Sequence, residues 1–403
     1  MNITFLTHEA LPTRRAATTR KVGGLNTIVY YLSKSLAALP GNRITISCYG
    51  KDENETGLEI PKNVKVEYVS GNSSSSSLDI GESCSAYARI LKQQYSESPP
   101  DLVYTSGSDA GYMMYLAQSN GLRVPWIHTN YATLAVRRVR VSGTTPIDAL
   151  SDQVAKQELT VLKHCNHIIA LSEIDKTETC EVFGINQDKV TVAHPGVDHS
   201  IFTPGELHDR EYLVVSAGRM SKIKDFPFLL RSFQLAIKSL SSTPIMPKLV
   251  IIGGNQQERD DLGLPQLVDS LNIKHFVDFY DGMGQTDLAQ QFQKARVFVG
   301  CSQHETFGLL PVEARACGTP WIVRANSSYL SSVTNGYGGF LVDNSQERDM
   351  SDKIVTLLNL PNKQWEEMSN AAVESASQYT WPQTAKNCMA VFENVSKMFL
   401  KPP

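Results

Sequence analysis

Short apolar, β-branched runs alternate along the chain with longer stretches whose apolar residues recur at helical spacing. The first apolar patch and the runs at 43–48, 102–104, 124–128 and 167–171 predict strands. Residues 25–39 predict a helix that begins just after Gly23-Gly24. This strand–loop–helix rhythm predicts parallel sheets with helices on both faces. It restarts after Pro204, where 213–217, 249–252, 277–279, 297–300 and 321–323 predict a second set of strands. Between the two sets, Pro and Gly punctuate a polar stretch at 192–205, expected to end one α/β domain and lead into the next. The serine run from Ser73 to Ser77 predicts a surface loop. Near the end, Ala385, Met389, Val391, Phe392, Val395 and Phe399 fall at helical spacing and predict a terminal helix packed on the body. The expected organisation is an N-terminal domain over 1–200, a C-terminal domain over 201–382 and a closing helix over 383–403.

Composition narrows this picture. A chain of 403 residues is too long for one ordinary domain, and 41% hydrophobic with 20% charged residues is globular rather than disordered or fibrous. A net charge of −3 gives no support to a protein that wraps nucleic acid. No apolar run approaches the roughly 18 residues that span a bilayer, and the first residues lack a signal peptide's charged start and long apolar core. Seven scattered cysteines without a CxxC pair look like reduced thiols, so a cytoplasmic protein is expected.

Ligands of open α/β sheets bind where strands end and glycine-rich turns lead into helices. Gly23-Gly24 stands in such a turn, where backbone amides and a helix dipole meet phosphates, although many such turns use glycine only for sterics. Residues 10–51 and 110–147 contain no acid but carry Arg14, Arg15, Arg20 and Lys21, then Arg123, Arg137, Arg138 and Arg140. These stretches are either a solvated basic face or the wall of an anion-attracting site. In the second half, Arg219 and Lys224 lie in the turn after the 213–217 strand, two cations suited to a diphosphate that gains charge as it leaves. After the 297–300 strand, Glu305 and Glu313 stand eight residues apart around Thr306, Phe307, Gly308 and Leu309. A helix starting near Leu310 would put Glu305 at its mouth and Glu313 in its first turn, two carboxylates able to accept from vicinal sugar hydroxyls. Taken singly, Glu313 also reads as an acid complementing the helix dipole.

The pieces Gly23-Gly24, PGVDHSIFTP (Pro195–Pro204), GRMSKIKDFPFLL (Gly218–Leu230) and ETFGLLPVEARACGTP (Glu305–Pro320) resemble the retaining glycosyltransferases of family 4. ETFGLLPVE matches that family's E-x7-E motif, and NGYGGFLVD (Asn335–Asp343) matches its following glycine-rich segment. The resemblance spans nearly the whole chain and says little about substrates. It implies the GT-B architecture, two Rossmann-like doubly wound α/β domains facing across a cleft. Carried over by position, it implies that Gly23 and Gly24 approach the donor phosphates through backbone amides. Arg219 and Lys224 would stabilise the leaving diphosphate. Glu305, with Thr306 and the amides of Phe307, Gly308 and Leu309, would hold the donor sugar, and Glu313 the ribose hydroxyls. His128, at a strand end, would sit near the anomeric centre, against the plainer reading of a core histidine satisfied by backbone. The family's lysine–glycine step is here Lys224-Asp225, and Pro195 stands where an asparagine often precedes GVD.

The expected activity is transfer of a sugar, with retention, from a nucleotide diphosphate sugar to the hydroxyl of an acceptor sugar or lipid-linked sugar, in polysaccharide or glycolipid synthesis. A UDP-sugar such as UDP-glucose leads as donor and GDP-mannose follows. No cofactor and no metal are expected, since no Asp-x-Asp site is evident. The basic N-terminal stretches are compatible with peripheral contact to an anionic membrane, and the chain is expected as a monomer or homodimer. The rivals are a nucleotide-sugar 2-epimerase or sugar phosphorylase on the same architecture, and a non-catalytic nucleotide-sugar-binding protein.

Overall fold

The computed structural model describes residues 1–7, 24–49, 60–68, 80–131, 133–207, 210–325, 328–343 and 346–400, without the side chains of 80–83. Gly23 and the serine run 73–77 lie outside the described residues. The chain divides into two compact units, one built from Gly24–Pro195 with the first strand and Trp381–Pro403, the other from Gly196–Thr380.

The first unit holds seven strands: β1 (Asn2–Thr7), β2 (Arg43–Cys48), β3 (Val64–Tyr68), β4 (Leu102–Ser106), β5 (Trp126–Thr129), β6 (His167–Ala170) and β7 (Val190–Val192). They form one parallel sheet in the order β3-β2-β1-β4-β5-β6-β7. Because the order reverses between β1 and β4, this sheet has a switch point there. β4 is buried along its whole length, as expected of a strand covered by helices on both faces. Leu6, Val103, Trp126 and Ile168 from the sheet pack with Met114 and Val161 from flanking helices into one core. The Trp381–Phe399 helix belongs to this unit: Trp381 stacks on Tyr31 with centroids 5.3 Å apart, and Phe392 meets Tyr104 at 5.7 Å.

The second unit holds β8 (Glu211–Ala217), β9 (Lys248–Ile252), β10 (Val277–Tyr280), β11 (Ala295–Gly300), β12 (Trp321–Arg324) and β13 (Gly339–Val342). All pair in parallel, in the order β10-β9-β8-β11-β12-β13, so the switch point lies between β8 and β11. Every residue of β11 is buried, and the Phe226–Leu240 helix presents Phe226, Leu229, Leu230, Phe233, Ala236 and Leu240 to the core at helical spacing. Both units are thus doubly wound α/β folds.

The stretch expected to be a linker is more firmly held than its Pro and Gly content suggested. Val197 and Phe202 are buried, Val197 N–H donates to Tyr379 O at 3.0 Å, and Val197 bridges Thr380. The apolar residues anchor it to the second unit. All seven cysteines are free and buried. No described helix is long and apolar enough to cross a membrane.

Candidate functional site

The switch point of the second sheet brings two loops together, one after β8 and one after β11. The first, 218–225, ends in a short 3-10 turn over Lys222–Lys224 and passes directly into the Phe226–Leu240 helix, whose first turn holds a proline. Pro at that position costs nothing, because the amide it removes would be unpaired anyway. Arg219 in this loop is exposed. Lys224 folds back, and its Nζ pairs with Oε1 of Glu305 in the second loop, both side chains largely buried. The second loop is braced at 2.7 Å by Ser302 Oγ donating to Glu305 Oε1 and by Gln303 N–H donating to Ile223 O. Burial pushes the Glu305 carboxyl up, but the Lys224 charge, hydrogen bonds from Lys224 and Ser302 and the His304 charge leave it below the usual range. Glu305 is therefore ionised at neutral pH.

The second loop closes on Phe307, buried with its ring edge-on to Tyr379 at 5.4 Å, and on Gly308, which has φ 83. That left-handed residue starts the Leu309–Ala316 helix without a side-chain cap, so no N-cap side chain competes with a ligand for the amides of the first turn. A side chain at Gly308 would run into the Tyr329 ring. Thr306 and Leu309 are half-buried beside it.

Glu313 departs from expectation in one respect. The helix begins at Leu309 and Glu313 is its fifth residue, beyond the first turn, so the dipole-complementing reading fails. The carboxyl is instead buried, and burial pushes its pKa up to about 8. The native state keeps a proton that the unfolded chain loses near 4.5, so stability should fall as pH rises from about 4.5 to about 8 and then level off. Glu313→Gln should remove most of that slope, making the free variant more stable than wild type above pH 8 by an amount on the order of a few kcal/mol. Denaturant melts at pH 5 and pH 8.5 check this; parallel slopes for the two proteins would contradict it.

Lys224 and Glu305 are thus brought into contact, with Arg219, Thr306, Phe307, Gly308, Leu309 and Glu313 on the same two loops and the helix they lead into. His128 and Gly24 belong to the first unit. Gly24 is exposed at the start of the Gly24–Ala37 helix. His128, on β5, is fully buried, and burial lowers its pKa to about 3, so it is neutral and no proton donor in the imidazolium sense. Trp126 Nε1–H donates to Thr105 Oγ1 at 2.7 Å, and that hydroxyl lies 2.8 Å from His128 Nδ1. The Thr105 hydroxyl also reaches Ile127 O at 3.4 Å, so the His128 proton can sit on Nδ1 or on Nε2. That Nε2 has no hydrogen-bond partner among the described residues. In the second basic stretch, Arg138 pairs with Asp152 at 3.1 Å and Arg140 with Glu178 at 3.2 Å and Glu181 at 2.5 Å, so acids later in the chain neutralise two of its arginines.

Two further residues had no functional reading in the sequence. Asp225, in the place of the family's glycine, has φ 48 and pairs with Arg324 at 2.6 Å. Among the described residues no cluster of three or more His, Cys, Asp or Glu is placed to hold a metal ion.

The fold has close counterparts. Sucrose-phosphate synthase from Thermosynechococcus elongatus superposes with a TM-score of 0.81 at 18% identity, covering 99% of this chain and all of that one. Anabaena HepE in complex with UDP and glucose superposes with a TM-score of 0.74 at 16% identity, over 98% of this chain and all of that one. Both are likenesses of fold, and the architecture is GT-B. In sequence, the D-inositol 3-phosphate glycosyltransferase of Thermomonospora curvata is 26% identical over 93% of this chain and 91% of its own length. The enzyme of that name from Mycolicibacterium smegmatis is 27% identical over 77% of this chain and 71% of its own. The family model "Glycosyltransferase Family 4" matches residues 22–201, and "Glycosyl transferases group 1" matches 199–375. Joined end to end over most of its length, these matches mean that the chain belongs to the family 4, group 1 glycosyltransferases.

Proposed function

We propose that this glycosyltransferase moves a hexose from a nucleotide diphosphate sugar to an acceptor hydroxyl with retention at the anomeric carbon. The observation that carries the reading is the Lys224–Glu305 pair at the switch point, beside exposed Arg219 and the uncapped amides after Gly308. The barrier lies in expelling the diphosphate from an oxocarbenium-like transition state. Cations and amides already in place lower it because they need no reorganisation as charge develops. Arg219 and Lys224 take the leaving diphosphate, Glu305 and the Phe307–Leu309 amides the sugar, and Glu313 the ribose hydroxyls. Gly23 and Gly24 offer amides to the phosphates, and neutral His128 is assigned to the donor sugar by the family pattern alone. Two side-chain cations supply the neutralisation that a divalent ion gives elsewhere, so the reaction runs without metal or other cofactor.

UDP-glucose is the first donor to test, in keeping with the UDP-bound fold relative. A small phosphorylated acceptor is tested first, ahead of a lipid-linked or polysaccharide one, in keeping with the relatives named for D-inositol 3-phosphate. Proton NMR of UDP-glucose, GDP-mannose and ADP-glucose mixed with the protein, inositol 3-phosphate and EDTA tests the whole reading. A product whose anomeric coupling keeps the donor's configuration, formed at an undiminished rate in EDTA, is the expected result. An inverted product, or turnover abolished by EDTA, would contradict the mechanism. Product formed from the sugar nucleotide alone would favour an epimerase.

A further inference from the structure

We propose that Asp225 and Arg324 form a positioning pair that keeps the carboxylate next to Lys224 from opposing the diphosphate. The proposal rests on the reading that Arg219 and Lys224 receive a nucleoside diphosphate.

Asp225 is one of two non-glycine residues with positive φ among those described, at φ 48 and ψ 46 between the Lys222–Lys224 turn and the Phe226–Leu240 helix. Glycine is the residue that adopts this conformation without strain. Aspartate tolerates it better than most side chains but still at some cost. Its side chain supplies the compensation. Asp225 Oδ2 accepts from Arg324 Nη1 at 2.6 Å and from Gln303 Nε2 at 3.1 Å. Arg324 ends β12, also donates from Nη1 to Cys301 O at 3.0 Å, and lies over the Phe228 ring, 4.1 Å from its centroid. Its side chain is 7% exposed and that of Asp225 17%.

Gln303 and Arg324 therefore tie the turn carrying Lys224 to the loop carrying Glu305 independently of the Lys224–Glu305 contact itself. Gln303 does so twice, since its backbone N–H also donates to Ile223 O at 2.7 Å. The pair has an electrostatic consequence as well. A bare carboxylate adjacent in sequence to Lys224 would repel an incoming diphosphate and compete for the lysine. Arg324 satisfies that carboxylate from the core side, which leaves Arg219 and Lys224 to the ligand. An aspartate in place of the glycine is compatible with diphosphate binding because an arginine 99 residues later meets it.

A merely structural pair would support the loop for every ligand, whereas this one acts on charge. The test is titration of wild type, Arg324→Met, Asp225→Asn and the double variant Asp225→Gly/Arg324→Met. Calorimetry with UDP, GDP and ADP gives the diphosphate affinities, and NMR at millimolar concentration gives those of the parent nucleosides. For the diphosphate that binds wild type, Arg324→Met should lose about ten-fold or more in affinity, and about threefold or less for its nucleoside. Asp225→Asn, which keeps the backbone and the hydrogen bonds, should stay within about threefold of wild type, and the double variant should return to that range. Should Arg324→Met not fold, Arg324→Lys takes its place, with a smaller loss in the same direction. Equal losses for diphosphate and nucleoside, no loss at all, or a double variant as weak as the single one would each overturn the pair while leaving the functional reading intact. A wild type that binds none of the three diphosphates would overturn that reading and the proposal together.

Discussion

Alanine at position 224 is expected to lower turnover of the sugar nucleotide by roughly 100- to 1,000-fold, the effect of removing one preorganised group from a developing anion. Affinity for the intact donor should fall much less, since the charge on the leaving diphosphate is greatest in the transition state. The structure adds a second cost. Lys224 is the ion-pair partner of Glu305 and the largest influence holding that buried carboxyl below its usual range. Without it, burial weighs more heavily and the Glu305 pKa climbs. Lys224→Ala should therefore also show a steeper rise of rate with pH than wild type, and Glu305→Gln in the same background should remove that added rise. Steady-state kcat and KM from pH 6 to pH 9 measure both effects. A Lys224→Ala enzyme within about threefold of wild type in kcat would remove lysine from the chemistry.

The second large effect is expected at Gly253, where the fold supports the site from beneath. Gly253 N–H donates to Tyr280 O and Gly218 N–H to Ile252 O, each at 2.9 Å, so the turns after β8 and β9 pass against one another. Gly253 has φ 136, and a Cβ there would sit on the Gly218 carbonyl oxygen. Backbone cannot swing aside as a flexible side chain can, so Gly253→Ala must displace the turn that carries Arg219. A stability loss of roughly 2–4 kcal/mol is expected, with loss of nucleotide binding at temperatures where the variant is still folded. Gly263→Ala is the control. Gly263 has φ 66 but nothing within 4 Å of its Cβ position, so only the left-handed penalty of about 1 kcal/mol applies. Urea melts of the two variants decide between them, and equal losses would show that the close approach to Gly218 is not what matters.

The parallel-sheet rhythm was legible because β4 and β11 are buried throughout and carry the apolar runs at 102–104 and 297–300. β3 and β7 escaped notice for the opposite reason. They lie at the two edges of the first sheet, where VKVEY alternates with polar residues and VTV is only three residues long. The loops after β8 and β11 could be picked out from their cations and carboxylates, but not how they are joined. Nothing local marks Arg324 as the partner of Asp225, and the missing glycine read as a loss until its carboxylate was placed. Glu313 was expected one residue too early in its helix because the left-handed conformation of Gly308 starts the helix at Leu309 rather than Leu310. The depth of His128 depends on Trp126 and Thr105 packing across neighbouring strands, a relation that spacing along the chain does not carry. The acid-free stretch at 110–147 looked more electropositive than it is because its counter-charges, Asp152, Glu178 and Glu181, come later.

The switch point of the second sheet is expected to receive a nucleoside diphosphate. Thermal melts of wild type and Arg219→Ala with UDP, GDP and ADP test it most directly. A ligand at a hundred times its dissociation constant adds about 2.7 kcal/mol of stability, enough to read plainly. One of the three, UDP first, should raise the wild-type midpoint, and Arg219→Ala should lose most of that rise. No shift with any of them, or an equal shift in the variant, would contradict it.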